Sequence, residues 1–148
     1  MKKFKNMETI IIDPKDGRHA VYTDDKVVNF LFVHLDEFGD KKEDIQKCLD
    51  YVHTRGGFIV LGVIDEEIKG AVVINETGMT GYIPENILVY IAMHQDQRGK
   101  GLGKKLMQAA IAKAKGNIAL HVEPNNPAKF LYEKLGFTSK YLEMRLNR

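Results

Sequence analysis

The stretch Met93-His-Gln-Asp-Gln-Arg-Gly-Lys-Gly-Leu-Gly-Lys-Lys105 decides how this chain folds. It lies between an apolar run, Ile87 to Met93, and a segment of helical periodicity that begins at Leu102. Gly99, Gly101 and Gly103 remove side chains where backbone N–H groups can turn toward one point. A helix starting there adds its own unpaired N–H groups and a partial positive charge. Arg98, Lys100 and Lys104 supply full charges. Such a loop is suited to a pyrophosphate.

Working outward, Leu102, Leu106, Met107, Ala110, Ile111 and Ala114 give a broad apolar face, which predicts a helix from Leu102 to Lys115. Ile118 to Val122 reads as a strand. Pro127 to Leu135 reads as a helix, with Asn126 as its cap and Gly136 at the position just past its end. Phe137 to Leu146 has strand-like composition and is expected to close the chain as a strand. Upstream, Ile87 to Met93 is apolar throughout, as a strand buried on both faces would be. Phe58 to Ile64 and Ile68 to Ile74 are β-branched runs joined by Asp65-Glu66-Glu67, a hairpin pattern. Val27, Leu31, Leu35 and Phe38 recur at helical spacing, with Asp24 placed to cap them. Asp40 with Glu43 resembles a capping box before Ile45, Leu49 and Val52, so two helices should meet at Gly39. Thr9 to Asp13 reads as an opening strand. The order is that of a mixed α/β domain around one twisted sheet, and residues 1–148 read as a single domain.

Bulk properties restrict the function classes. At 148 residues, 44% apolar and 28% charged, the chain can bury one core and keep an ordinary soluble surface. A net charge of +2 is too small to indicate a nucleic-acid binder. No segment approaches the apolar length of a membrane span, and the basic N-terminus lacks a signal-length apolar stretch. The single cysteine, Cys48, permits no internal disulfide, and a cytoplasmic location is expected. The five histidines are scattered without metal-ligand spacing, so no metal site is expected.

Three readings of the glycine loop compete. A Walker loop needs G-x-x-x-x-G-K-[ST], and Gly99-Lys-Gly-Leu-Gly-Lys-Lys lacks both the spacing and the hydroxyl. A Rossmann fingerprint needs a third glycine where Leu106 stands. Glu123 lies about twenty residues on, as that fingerprint wants, but too little chain remains to complete a dinucleotide fold. The third reading rests on two motifs together. Arg98-Gly-Lys-Gly-Leu-Gly103 fits [Q/R]-x-x-G-x-[G/A], and after one strand comes Asn125-Asn-Pro-Ala-Lys-Phe-Leu-Tyr-Glu-Lys-Leu-Gly-Phe137. In type, order and separation these resemble the two motifs of the GNAT superfamily of N-acetyltransferases. The motifs cover roughly the last third of the chain. The first half agrees in element pattern.

The resemblance implies a GNAT-like fold: a central mixed sheet flanked by about four helices. It implies acetyl-coenzyme A as cosubstrate and direct transfer to a primary amine of a small molecule or peptide. The strand at Ile91, Ala92 and Met93 is expected to splay from its neighbour and bind pantetheine through its backbone. An N–H near Met93 is expected to polarise the acetyl carbonyl. The pyrophosphate is expected on Arg98, Gly99, Lys100, Gly101, Leu102, Gly103 and Lys104, with Asn125 near the pantetheine arm. Tyr132 is expected beside the sulfur as the general acid, although it also extends the apolar stripe of Ala128, Leu131 and Leu135.

At the base this chain departs from the family pattern. Family members often carry an acidic residue on the strand approaching the cofactor, where this chain has Ile87, Val89 and Tyr90. His121, at the end of the next strand, is the candidate, since histidine ordinarily titrates near neutrality. Glu85 and a water chain are the alternatives. The acceptor usually enters near the junction of the first two helices, here Asp36-Glu-Phe-Gly-Asp40, an acidic turn that either attracts a cation or is merely solvated. A catalytically weak coenzyme A-binding sensor is the rival class. A nucleic-acid module built on Arg98 to Lys105 lacks interleaved aromatics. The sequence leaves the acceptor and the oligomeric state open, a homodimer included.

Overall fold

The computed structural model describes residues 6–148. Its elements are β1 (Glu8–Ile12), α1 (Asp24–His34), α2 (Lys42–Thr54), β2 (Gly57–Ile64), β3 (Glu67–Glu76), β4 (Asn86–Met93), α3 (Leu102–Lys113), β5 (Ile118–Leu120) and α4 (Ala128–Lys134). The five strands form one sheet in the order β1-β2-β3-β4-β5. All neighbours are antiparallel except β4 and β5, which run parallel. The fold is mixed α/β, as the element order implied.

Local chemistry accounts for most of the boundaries. The β2–β3 hairpin turns on Asp65 and Glu66, both at positive φ (53° and 63°), the handedness that matches the twist of the flanking strands. Two expected caps are made by other residues. Thr23, not Asp24, caps α1 by accepting from the Lys26 N–H, and Asp24 instead binds Arg18 and Gln46. The Asp40–Glu43 capping box does not form: Lys41 is the N-cap of α2 and makes no side-chain cap bond. The first helical stripe also ends early, at His34, and passes through a 3-10 turn at Asp36–Phe38.

The sheet separates two apolar layers. On one face α1 and α2 pack Leu31, Ile45 and Leu49 against Ile59, Leu61, Val73, Tyr90 and Ala92. On the other, α3 and α4 pack Leu106, Met107, Ala110 and Tyr132 against Phe58, Val60, Val72 and Leu88. Leu88 and Tyr90 stand two apart in one strand and should share a face, yet they occupy opposite layers. The pairing explains it: Val73 opposes Tyr90 and Ile74 opposes Leu88, so Val89 is an inserted residue without a partner on β3.

The expected closing strand, Phe137 to Leu146, is not formed; these residues carry no strand assignment. A strand needs a ladder partner for its backbone groups, and β5 offers only three residues. Nor does burial compensate, because Tyr141, Leu142, Met144 and Leu146 are 79–89% exposed. The strand expected from Ile118 to Val122 likewise stops at Leu120.

Candidate active site

Strands β4 and β5 pair over only three residues, ending at Leu88 opposite Leu120. Beyond that pair they part. β4 continues to Met93, held on the β3 side alone through Tyr90↔Val73, Ile91↔Val72, Ala92↔Ala71 and Met93↔Gly70. The first residues past the fork are Val89 on one arm and His121 on the other. The backbone groups of β4 facing the gap have no ladder partner there, so an extended amide-bearing arm can add to them as a strand would. Ile91, Ala92 and Met93 all lie on the part of β4 beyond the last β5 pair.

The glycine loop follows at the mouth of this fork. Gly99 and Gly101 both have φ of 79°, and a Cβ on either would meet no other atom within 4 Å. Their side of the loop is open. Gly101 caps α3, and the first helical bond runs from the Lys105 N–H to the Gly101 carbonyl. The N–H groups of Leu102, Gly103 and Lys104 precede that bond, so they are available to an anion, with Lys100 and Lys104 exposed beside them. Gly103 lies where a Cβ would sit 3.5 Å from the Leu131 side chain and 3.7 Å from that of Met93, so α3, α4 and the end of β4 converge there.

Arg98 has a different position from the one expected. Its backbone N–H bonds the Gln95 carbonyl, and its Nε donates to the Met93 carbonyl at 3.3 Å. Its terminal nitrogen donates to the His34 carbonyl and to Asp36 at 3.1 and 3.2 Å. Arg98 thus ties the end of α1 to the end of β4. Asp36, with φ of 53°, holds a left-handed conformation at this tie.

Tyr132 is 6% exposed, in the layer containing Leu88, Leu106 and Met107. Its placement follows from the Leu-Gly-Phe sequence. Gly136, at φ of 98°, lets its N–H reach the Glu133 carbonyl while the Phe137 N–H reaches that of Tyr132. This is a Schellman stop, and its usual apolar contact is the Tyr132–Phe137 ring pair at 5.9 Å. Burial pushes the Tyr132 phenol up to about 12.

The remaining candidates are less confined. His121 and Asn125 are exposed, while the neighbouring Asn126 accepts from the Ala128 N–H at 2.9 Å and so shapes the entry to α4. Glu85 is a loop brace: its carboxylate accepts from the Asn117 and Gly81 N–H groups at 2.7 and 3.2 Å. Those backbone bonds hold its carboxyl below the usual range. It also precedes the start of β4, about 25 Å from Met93 at ~3.3 Å per residue, which removes it as a base.

The structure also assembles groups that sequence reasoning missed. Tyr90, 7% exposed, donates its hydroxyl to Asp40 Oδ2 at 2.6 Å. His94 lies 2.8 Å from Asp96 through Nδ1, and its ring is 4.5 Å from that of His34. His34 Nδ1 is buried without a partner among the described residues, and burial with the neighbouring His94 and Arg98 charges holds its pKa down. A polar-tipped aromatic inside an apolar strand was the available signal for Tyr90. The His34–His94 approach has none, because sixty residues separate them.

The forked strand pair leads into a glycine-capped helix start, which places unpaired strand amides and free helix N–H groups along one line. Residues 21–137 match the model of the acetyltransferase (GNAT) family. The chain belongs to the GNAT acetyltransferase family. Over 84 residues it is 34% identical to a 5-NmdU N-acetyltransferase of Pseudomonas phage PaMx11, a match spanning 55% of this chain and 58% of that protein. Its fold is similar to a ribosomal-protein-alanine N-acetyltransferase from Brucella melitensis biovar Abortus 2308, at TM-score 0.65 and 16% identity over 96% of this chain and 99% of that one. An aminoglycoside N-acetyltransferase in complex with CoA is similar at TM-score 0.70 and 12% identity over 100% and 98%.

Proposed function

We propose that this enzyme uses acetyl-coenzyme A and transfers the acetyl group directly to a primary amine. The observation that carries this reading is the fork: β4 loses β5 after Leu88 and leads straight to the open glycine turn and the free N–H groups of α3. The pantetheine arm lies along Ile91 to Met93, and the pyrophosphate sits on residues 99–104. Tyr132, from the α3/α4 layer, faces the developing charge on sulfur. Direct attack is supported by the state of the only cysteine. Cys48 is buried in α2, and burial pushes its thiol up to about 12, so it offers no thiolate for an acyl-enzyme. Thiol release from acetyl-coenzyme A, followed with and without a panel of primary amines, tests the reading. Amine-dependent release supports it, and release indifferent to every amine rejects it.

His121 is the base in this reading, since it is exposed on the second arm of the fork, opposite Val89. An alkylammonium near pKa 10 must lose a proton before it attacks. His121→Ala is expected to cut turnover most near neutral pH and less at high pH, where free amine is already abundant. A pH–rate profile identical to the parent's rejects His121 and leaves solvent as the acceptor of the proton.

A further inference from the structure

The junction between α1 and α2 is fastened over the fork at two points. One is the Arg98 tie to Asp36 and the His34 carbonyl. The other is the bond from Tyr90 to Asp40. Tyr90 is the second β4 residue beyond the last β4–β5 pair, and the Val89 insertion directs its ring into the α1/α2 layer. The Asp40 carboxylate therefore stands one tyrosine side chain away from the β4 backbone. It is on the face opposite Tyr132, which belongs to the α3/α4 layer. Asp40 has no helix-capping duty, since Lys41 is the N-cap of α2. Tyr90 uses one of its oxygens, and no hydrogen bond to the other is made among the described residues. The charged groups nearby include Lys41 and Lys42, which follow Asp40 in the chain, Asp44 on α2, and Arg145, itself paired with Glu143.

We propose that Asp40, oriented by Tyr90, anchors a cationic group of the acceptor, so that the preferred acceptor is an amine bearing a second positive charge. This inference rests on the transferase reading above. The role suits an exposed carboxylate. Such a group is a weak base toward an alkylammonium, because a carboxylate is far less basic than an amine. It is a good partner for a cation that stays charged. The attacking nitrogen must be neutral, so the group held at Asp40 is a different one. Tyr90 suits the orienting role because burial, reinforced by Asp40, holds its phenol above the ordinary range and keeps it a donor. A second cation spaced from the amine by a short flexible chain spans the carboxylate and the fork.

The test compares cadaverine with n-pentylamine, which differ in the second ammonium, by thiol release from acetyl-coenzyme A. The parent is expected to favour cadaverine in kcat/KM by about 10- to 100-fold, the range of a hydrogen bond to a charged group, and less so at high salt. Asp40→Asn keeps an acceptor for the Tyr90 hydroxyl and removes the charge, and it should bring the ratio close to one. Tyr90→Phe should raise KM for cadaverine by a smaller factor with kcat little changed, the mark of a positioning residue. A parent ratio near one with pentylamine turned over overturns the anchor alone. So does an Asp40→Asn ratio equal to the parent's, which is what general structural damage would give. Coenzyme A binding with no amine-dependent release overturns both this inference and the transferase reading.

Discussion

Tyr132→Phe is expected to turn over about 10²-fold more slowly than the parent, at the low end of general-acid effects, with affinity for acetyl-coenzyme A nearly unchanged. The ring stays, so the contact with Phe137 and the packing in the Leu88–Leu106–Met107 layer survive. What goes is one O–H, needed only as the carbon–sulfur bond breaks. The modest size has a physical reason. With the phenol pushed up to about 12 and a free thiol near roughly 8.5, the proton stays closer to oxygen than to sulfur. In the proposed reaction Tyr132 is expected to stabilise the departing thiolate through a strong hydrogen bond more than by full transfer. The same shift sets a pH expectation. The folded-state phenol remains protonated from neutral pH through 10, so rate should not fall there through loss of this acid, whereas an unperturbed phenol would be half ionised at roughly 10. Stopped-flow thiol detection beside calorimetric binding decides the matter. Equal turnover in the two proteins would demote Tyr132 to a core residue, and lost binding with unfolding would make its ring structural.

Gly101→Val should weaken coenzyme A binding by about 10²-fold or more, because several charge-assisted N–H contacts are lost together, each worth roughly 1.5–3 kcal/mol. Open space surrounds the glycine, so the new side chain meets no protein neighbour and instead fills the approach to the α3 N-terminus. Backbone strain complicates the variant, since φ of 79° disfavours any residue with a Cβ, a β-branched one most of all. Gly78 supplies the control. It has φ of 77° and the same open surroundings, but lies in the β3–β4 loop. Gly78→Val should lose similar stability, about 1–2 kcal/mol, and bind coenzyme A like the parent. If the two variants bind alike, the loop does not hold the pyrophosphate. Charge reversal at the exposed Lys104 should cost less than Gly101→Val, because it removes a screened attraction without blocking access.

The parts of this molecule that were legible in its sequence are those where backbone conformation restricts the residue. Gly101 and Gly136 adopt the positive φ their positions demand, and Phe137 completes the stop that seats Tyr132. The β2–β3 hairpin was equally plain, since both runs are almost wholly buried. What escaped depends on partners distant along the chain. Asp40 carried a local capping signal, but the tyrosine fifty residues on binds it instead. Arg98 looked like a phosphate ligand, and α1, some sixty residues earlier, takes its guanidinium. Phe137 to Leu146 has the composition of a strand, but composition does not report how long an edge β5 presents. The inserted Val89 was invisible because an all-apolar run has no alternation to interrupt.

That insertion bears on how this enzyme can vary. Leu88 and Tyr90, two apart, belong to different layers only because Val89 between them is inserted without a partner on β3. Removing Val89 leaves Ile74↔Leu88 and Val73↔Tyr90 as consecutive pairs, so Leu88 and Tyr90 become adjacent and keep their opposite layers. Adding a residue after Tyr90 exchanges the environments of Ile91, Ala92 and Met93. Side chains along β4 can therefore be exchanged for others of similar volume, and its length is constrained to the residue except at the unpaired Val89. Gly78 to Glu85 has no such phase to keep, because the exposed loop ends at the Glu85 brace before the strand begins. Relatives of this chain should accumulate insertions and deletions there and, the Val89 position apart, spare the strand that follows.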